Sequence, residues 1–186
     1  MINAKIYDDF LSALRLKVAA IATGNLLEEN VKMGPMVRER DAMRVQEWVQ
    51  DSVKHGASLL AGGERHGTML APTLVADVKP DMRISRDEVF GPVVGTMRFD
   101  YIQQAIEYAN NTNYGLSAAI FTGNLDWAMK FIQGVESGNI HVNWGPQWRT
   151  DLMPYGGLKE SGMGKEGPRY AVEEMTETKM VVMHLE

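Results

Sequence analysis

The stretch that decides the fold is Val93–Asn143, VVGTMRFDYIQQAIEYANNTNYGLSAAIFTGNLDWAMKFIQGVESGNIHVN. Residues Pro92–Phe99 are rich in strand formers. Asp100 followed by Gln103 reads as a variant capping box, and Ile102, Ala105, Ile106 and Ala109 repeat at helical spacing. Ser117–Thr122 is short and nearly continuously apolar, the pattern of a strand covered on both faces. Leu125, Ala128, Met129, Ile132 and Val135 mark a second helix, and Asn139–Asn143 alternates polar and apolar residues. Strand, helix, strand, helix, strand at these lengths predicts right-handed crossovers, a parallel sheet and an α/β fold, with Val93–Asn143 as one locally assembled core.

Working outward, residues 4–20 carry Ile6, Phe10, Leu14 and Val18 at helical spacing. Residues 38–55 do the same with Val45, Trp48, Val49 and Val53, and Gly56 falls where a helix C-cap belongs. Ser58–Ala61 and Met69–Val78 are strand-prone but broken by glycines and Pro72, which predicts a hairpin-like excursion. After Asn143 comes a Gly- and Pro-rich loop over 144–164, then a short helix near 166–174 and a last strand near 178–184.

Composition excludes several classes. With 45% hydrophobic and 23% charged residues, the 186-residue chain can bury a core. A formal charge of −5 offers no footprint for nucleic acid, and no apolar run approaches membrane-spanning length. The absence of cysteine removes a disulfide scaffold and fits a cytoplasmic protein. Of the histidines, His55, His66, His141 and His184, none lies three or four residues from another, so no metal site is expected.

Gly162–Gly167, GMGKEG, matches G-x-G-x-x-G, but a long loop precedes it and the chain then nearly ends, which argues against a dinucleotide fingerprint. Lys165 is followed by Glu166, so it is not a P-loop either. Glu88 and Phe90 stand two apart before the Gly91-Pro92 turn and project the same way from an extended segment. That pair suits a ribose diol beside a flat ring, and equally a solvated carboxylate before a turn. Trp127 reads as packing; Trp144 and Trp148 lie in the loop, where large aromatics more often line a site.

Several motifs, in order, resemble the C-terminal part of the aldehyde dehydrogenase catalytic domain. They are NVKMGPMV at Asn30–Val37, the G-x-x-x-x-P-T of Gly67–Thr73, and the E-x-F-G-P of Glu88–Pro92. The N-x-x-x-Y-G-L of Asn110–Leu116, the strand ending Val142-Asn143 and PYGGLKESG at Pro154–Gly162 follow, with Tyr155 where the family has Phe. The resemblance implies a parallel three-layer (αβα) core over residues 1–176 and an oligomerisation strand over 177–186. It implies that Glu88 binds the nicotinamide ribose of NAD or NADP and that Phe90 packs near the nicotinamide. Tyr155 would wall the substrate pocket, and Trp144, Trp148 and Arg149 would lie on the loop that varies with substrate.

The resemblance further implies small aldehydes as substrates, such as semialdehydes, lactaldehyde and phosphorylated or phosphonate aldehydes. Arg149 could pair with an anionic group on them, or face solvent or an interface acid. The family's cysteine nucleophile and general-base glutamate lie upstream of Met1, so the resemblance assigns no catalytic residue to this chain. Three roles follow from it: a portion of an ordinary aldehyde dehydrogenase, half of a split enzyme completed by a partner chain, or a non-catalytic assembly module. The first is favoured, with homo-oligomerisation or association with the N-terminal domain as the expected partnership.

Overall fold

The computed structural model of the chain describes residues 1–185. It divides into two compact units, Met1–Asn111 and Thr112–Glu186. The division falls after the first helix of the stretch expected to form one core.

The first unit is built around β5 (Thr73–Ala76), all four residues of which are buried. It pairs antiparallel with β2 (Ser58–Ala61) and parallel with β6 (Val93–Gly95). Successive side chains of a strand point to opposite faces, and here they do. Val75 enters a cluster with Val49, Ala57, Val78, Met82 and Ile84, whereas Ala76 joins Ile2, Tyr7 and Leu11. The helix α1 (Tyr7–Ala19) supplies the second cluster, and α2 (Glu39–Lys54) supplies Val49 to the first. The sheet is therefore sandwiched between helices, as expected of a three-layer α/β core.

The helix α2 is held by a buried stripe of Ala42, Val45, Val49 and Ser52. Burying side chains such as Val45 and Val49 contributes about 1.5–3 kcal/mol each. Glu39 and Asp41 in the first turn and Lys54 in the last complement the helix dipole. Gly56 ends the helix at φ +100°, a conformation glycine takes without a Cβ penalty. The predicted excursion follows: β3 (Arg65–His66) and β4 (Met69–Leu70) form a small hairpin. After β5, the short helix α3 (Arg83–Arg86) buries Ile84.

Two local readings are corrected here. The strand expected over Pro92–Phe99 is two strands. β7 (Arg98–Phe99) pairs in parallel with β1 (Ile2–Asn3), so the chain leaves one sheet for another at Thr96–Met97. The helix α4 (Ile102–Asn110) has Tyr101 as its N-cap with no side-chain cap bond. Gln104, not Gln103, reaches back, its Oε1 accepting from the Asp100 N–H at 2.9 Å.

In the second unit, β9 (Ser117–Ile120) and β10 (Asn139–Val142) pair in parallel, with α5 (Leu125–Gly134) between them in sequence. The strand β8 (Tyr114–Gly115) pairs antiparallel with β11 (Leu158–Lys159). The parallel pairing was expected, but every residue of β9 is half-buried, so the strand is not fully covered on both faces. The inward face of α5 also differs. Ala128 and Phe131 are buried, with Val135 just beyond, while Leu125, Met129 and Ile132 are exposed. A final helix, α6 (Pro168–Met175), starts with proline at its first turn, where a missing N–H costs nothing.

The strand expected over Thr178–Leu185 is absent: residues 176–185 carry no regular structure. A strand is defined by its ladder, and a single copy supplies this segment with no partner. Met180, Val181, Val182, Met183 and Leu185 are all exposed. Among the described residues, no helix is long and apolar enough to cross a membrane.

Candidate functional site

In the first unit, the Glu88–Phe90 turn is gripped from below. Val89 packs against the cluster around Val75. Its carbonyl accepts from Arg44 Nη2 at 2.9 Å, and the Arg44 guanidinium lies 4.7 Å from the centre of the Trp48 ring. Gly91 sits so close to α2 that a Cβ there would lie 2.9 Å from Val45 Cγ2. With Val89 directed inward, both neighbours are exposed, Phe90 by 78%. Phe90 is also held at φ +43°, a left-handed conformation that costs a residue with a Cβ about 1–2 kcal/mol. An exposed aromatic ring next to a carboxylate on a buttressed turn fits one end of a nucleotide cofactor, the ring for the base and the carboxylate for a diol. Beside it, Arg86 holds the Asp87 carboxyl below the usual carboxylate range, chiefly by hydrogen bonding.

Sequence reasoning missed Arg44. The signal was present, since Arg44 and Trp48 are one helical turn apart and neighbours at that spacing can stack.

In the second unit, Asn143 ends β10 at φ +58°. Its Oδ1 accepts from the Thr122 N–H at 2.8 Å, and its Nδ2 donates to the Thr122 carbonyl at 3.0 Å. This clasp fixes where the 144–164 loop departs. Trp144 and Trp148, with Phe121, Gln147 and Arg149, then line an open hollow of about 660 Å³. Trp148 meets His141 edge-on at 6.4 Å. Ser117 Oγ donates to the Pro146 carbonyl at 2.7 Å, tying the loop to β9.

Arg149 links this hollow to Tyr155. Its guanidinium carbon lies 4.8 Å from the centre of the Tyr155 ring, and its Nη1 donates to Glu166 Oε2 at 2.6 Å. That bond is the main reason the Arg149 pKa is raised above its ordinary value. Tyr155 and Glu166 form an antiparallel bridge: the Glu166 N–H donates to the Tyr155 carbonyl at 2.6 Å and the Tyr155 N–H returns a bond at 3.2 Å. Arg149 thus joins the tryptophan hollow to Tyr155, which with Glu166 lines a neighbouring opening and not the hollow itself.

The rest of PYGGLKESG anchors Tyr155 to the β8–β11 ribbon. The Gly115 N–H donates to Ser161 Oγ at 3.0 Å, and Lys159 pairs with Glu136 at 2.8 Å. The GMGKEG stretch is part of the anchoring. Lys165 Nζ donates to the Gly156 carbonyl, and Glu174 accepts from the Lys165 N–H. A larger open groove, of about 830 Å³, runs along α1 past Tyr7, Arg15, Asp77 and Arg98 and includes none of the expected site residues.

The chain is a layered α/β protein that carries a buttressed carboxylate–aromatic turn in one unit and an aromatic loop with an arginine in the other. The chain belongs to the aldehyde dehydrogenase family, which it matches over residues 1–181. It is 43% identical over 184 residues to a 3-sulfolactaldehyde dehydrogenase of Priestia aryabhattai, covering 99% of this chain and 39% of that protein. It superposes with a TM-score of 0.93 and 38% identity on aldehyde dehydrogenase 21 from Physcomitrella patens, solved in complex with the reaction product succinate. That match covers 97% of this chain and 38% of the other. A glyceraldehyde-3-phosphate dehydrogenase, GapN, of Methanocaldococcus jannaschii, solved with NADP, gives 0.89 at 35% identity, over 93% of this chain and 38% of that one. The chain therefore spans about two fifths of the length of these relatives.

Proposed function

We propose that this chain is a segment of the catalytic domain of an NAD(P)-dependent aldehyde dehydrogenase acting on a small, anionic aldehyde, and that alone it does not oxidise aldehydes. Bound NAD(P) would supply the hydride acceptor. Toward it, Glu88 would hold the nicotinamide ribose and Phe90 would flank the ring, both kept in place by Arg44 and Val45. Trp144 and Trp148 would exclude water from the aldehyde, Tyr155 would wall the pocket, and Arg149 would meet the anionic group. The attacking thiolate must come from elsewhere, because the chain has no cysteine. A cytoplasmic location accompanies this reading.

The observation that carries the substrate class is Arg149 in the hollow lined by Trp144 and Trp148. Relatives named for sulfolactaldehyde, or solved with succinate, also handle anionic molecules. In an intact dehydrogenase bearing this segment, Arg149→Ala is expected to raise KM for an anionic aldehyde about tenfold and leave KM for a neutral one unchanged, the loss of one charge-assisted contact. An unchanged KM for the anionic aldehyde would defeat the assignment.

A second reading, in which a partner chain completes the site, is favoured by the exposed apolar run at Met180–Leu185. Exposed strand-forming segments pair with other chains, in a homo-oligomer or with a cofactor-binding partner. Purified chain is expected to scatter light as a dimer or larger species; a mass equal to one chain at every concentration tested would contradict this.

A further inference from the structure

Arg149 already has a counter-ion within the chain. Glu166 reaches it at 2.6 Å, and the position of Glu166 is not set by that ion pair alone. Its backbone is pinned to Tyr155 by two hydrogen bonds, and Gly164 and Gly167, at φ +76° and +118°, turn the chain sharply on either side. The carboxylate is thus delivered to the guanidinium by a fixed backbone, while the Tyr155 ring lies against the cation at 4.8 Å. The same Arg149 lines the hollow with Trp144 and Trp148. An anion entering that hollow finds a guanidinium that is already paired.

We infer that Glu166 is a specificity-determining residue: it is a built-in competitor for Arg149, which an incoming anion must displace or share. Its carboxylate stands in for the anionic end of the substrate when the pocket is empty. It lowers the affinity for every anion and leaves neutral molecules unaffected, so that only ligands with a second attachment point in the aromatic hollow bind well. This inference rests on the assignment of Arg149 to the substrate anion.

The test is a titration of the chain with succinate, followed by NMR of the tryptophan indole and arginine side-chain N–H signals. Glu166→Gln keeps the backbone bridge and the side-chain volume but removes the charge. It is expected to bind succinate about three- to fivefold more tightly than the native chain, the scale of one exposed ion pair. Glu166→Asp, which keeps the charge, should stay near the native value, and the neutral diamide succinamide should bind both alike. The gain should vanish in the double variant Arg149→Ala, Glu166→Gln. Three results would overturn the inference. If Glu166→Gln binds no tighter while Arg149→Ala binds more weakly than native, Glu166 is not a competitor but Arg149 keeps its role. If succinamide gains as much as succinate, the substitution has merely loosened the loop. If Arg149→Ala binds succinate as well as the native chain, the Arg149 assignment itself fails.

Discussion

Pure preparations of this chain, given NAD or NADP and succinic semialdehyde, lactaldehyde or sulfolactaldehyde, are expected to generate reduced cofactor no faster than a protein-free blank. The chemistry requires a nucleophile that forms and then releases an acyl group, and the chain contains no cysteine. Two of its four histidines have other contacts: His141 packs edge-on against Trp148, and His55 is engaged with Asp51 at the end of α2. Loss of a nucleophile costs roughly 10⁴- to 10⁶-fold even where every other group is in place. Accurate positioning by Glu88, Phe90 and the tryptophan loop cannot offset a loss of that size. Steady production of NADH or NADPH from homogeneous protein would refute this, provided the signal follows the chain through a final purification step.

The second large effect concerns the scaffold of the loop. Gly138 opens the turn into β10, where its N–H donates to the Gly115 carbonyl. A Cβ built on it would lie 1.8 Å from the Gly156 carbonyl oxygen and 3.2 Å from Gly157 Cα. Both neighbours are backbone, so no side chain can rotate away. The next residue, Asn139, is buried and donates from Nδ2 to the carbonyls of Leu116 and Gly156, locking the two segments together. Gly138→Ala is therefore expected to destabilise the second unit by about 3 kcal/mol or more, beyond ordinary overpacking. Urea denaturation followed by tryptophan fluorescence checks this, because Trp127, Trp144 and Trp148 report on this unit and Trp48 on the other. An unchanged midpoint would mean that the close approach of Gly138 to Gly156 does not exist.

Much of this architecture was legible before any coordinates. The helix over 39–54 announced itself by Val45 and Val49 at helical spacing and by Gly56 at its end, because a buried stripe and a left-handed cap leave direct marks in sequence. The hairpin between Ser58 and Ala76 was equally visible in its glycines and Pro72. Other features depended on partners that sequence does not identify. Whether Met129 and Ile132 or Phe131 faces inward on α5 is decided by what lies beneath the helix, and periodicity allows either stripe. The strand expected over 178–185 is not formed here, and a strand exists only where a neighbour supplies its ladder.

The site shows the same division. Glu88, Phe90, Trp144, Trp148, Arg149 and Tyr155 are singled out as candidates by motif and residue type. Sequence showed neither that Arg149 is paired with Glu166, 17 positions away, nor that Arg44 supports the turn at Val89, 45 positions away. Long-range polar contacts of this kind are set by tertiary structure and have no local signature. The GMGKEG stretch matches a dinucleotide pattern in letters only, as its context in the sequence already argued. Its glycines serve a loop in which Lys165 and Glu174 bond to backbone, and the two-residue β11 that precedes it pairs antiparallel with β8, not within a parallel strand–helix–strand unit.

The most direct test of the account is a graft. The corresponding C-terminal segment of a 3-sulfolactaldehyde dehydrogenase, 43% identical to this chain, would be replaced by residues 1–186, and turnover measured on the folded chimera. If this chain is a working segment of an aldehyde dehydrogenase, the chimera oxidises sulfolactaldehyde with NAD(P), whereas the chain alone does not. A chimera that folds and binds the cofactor domain's nucleotide yet turns over no faster than its own nucleophile-deleted form would contradict it.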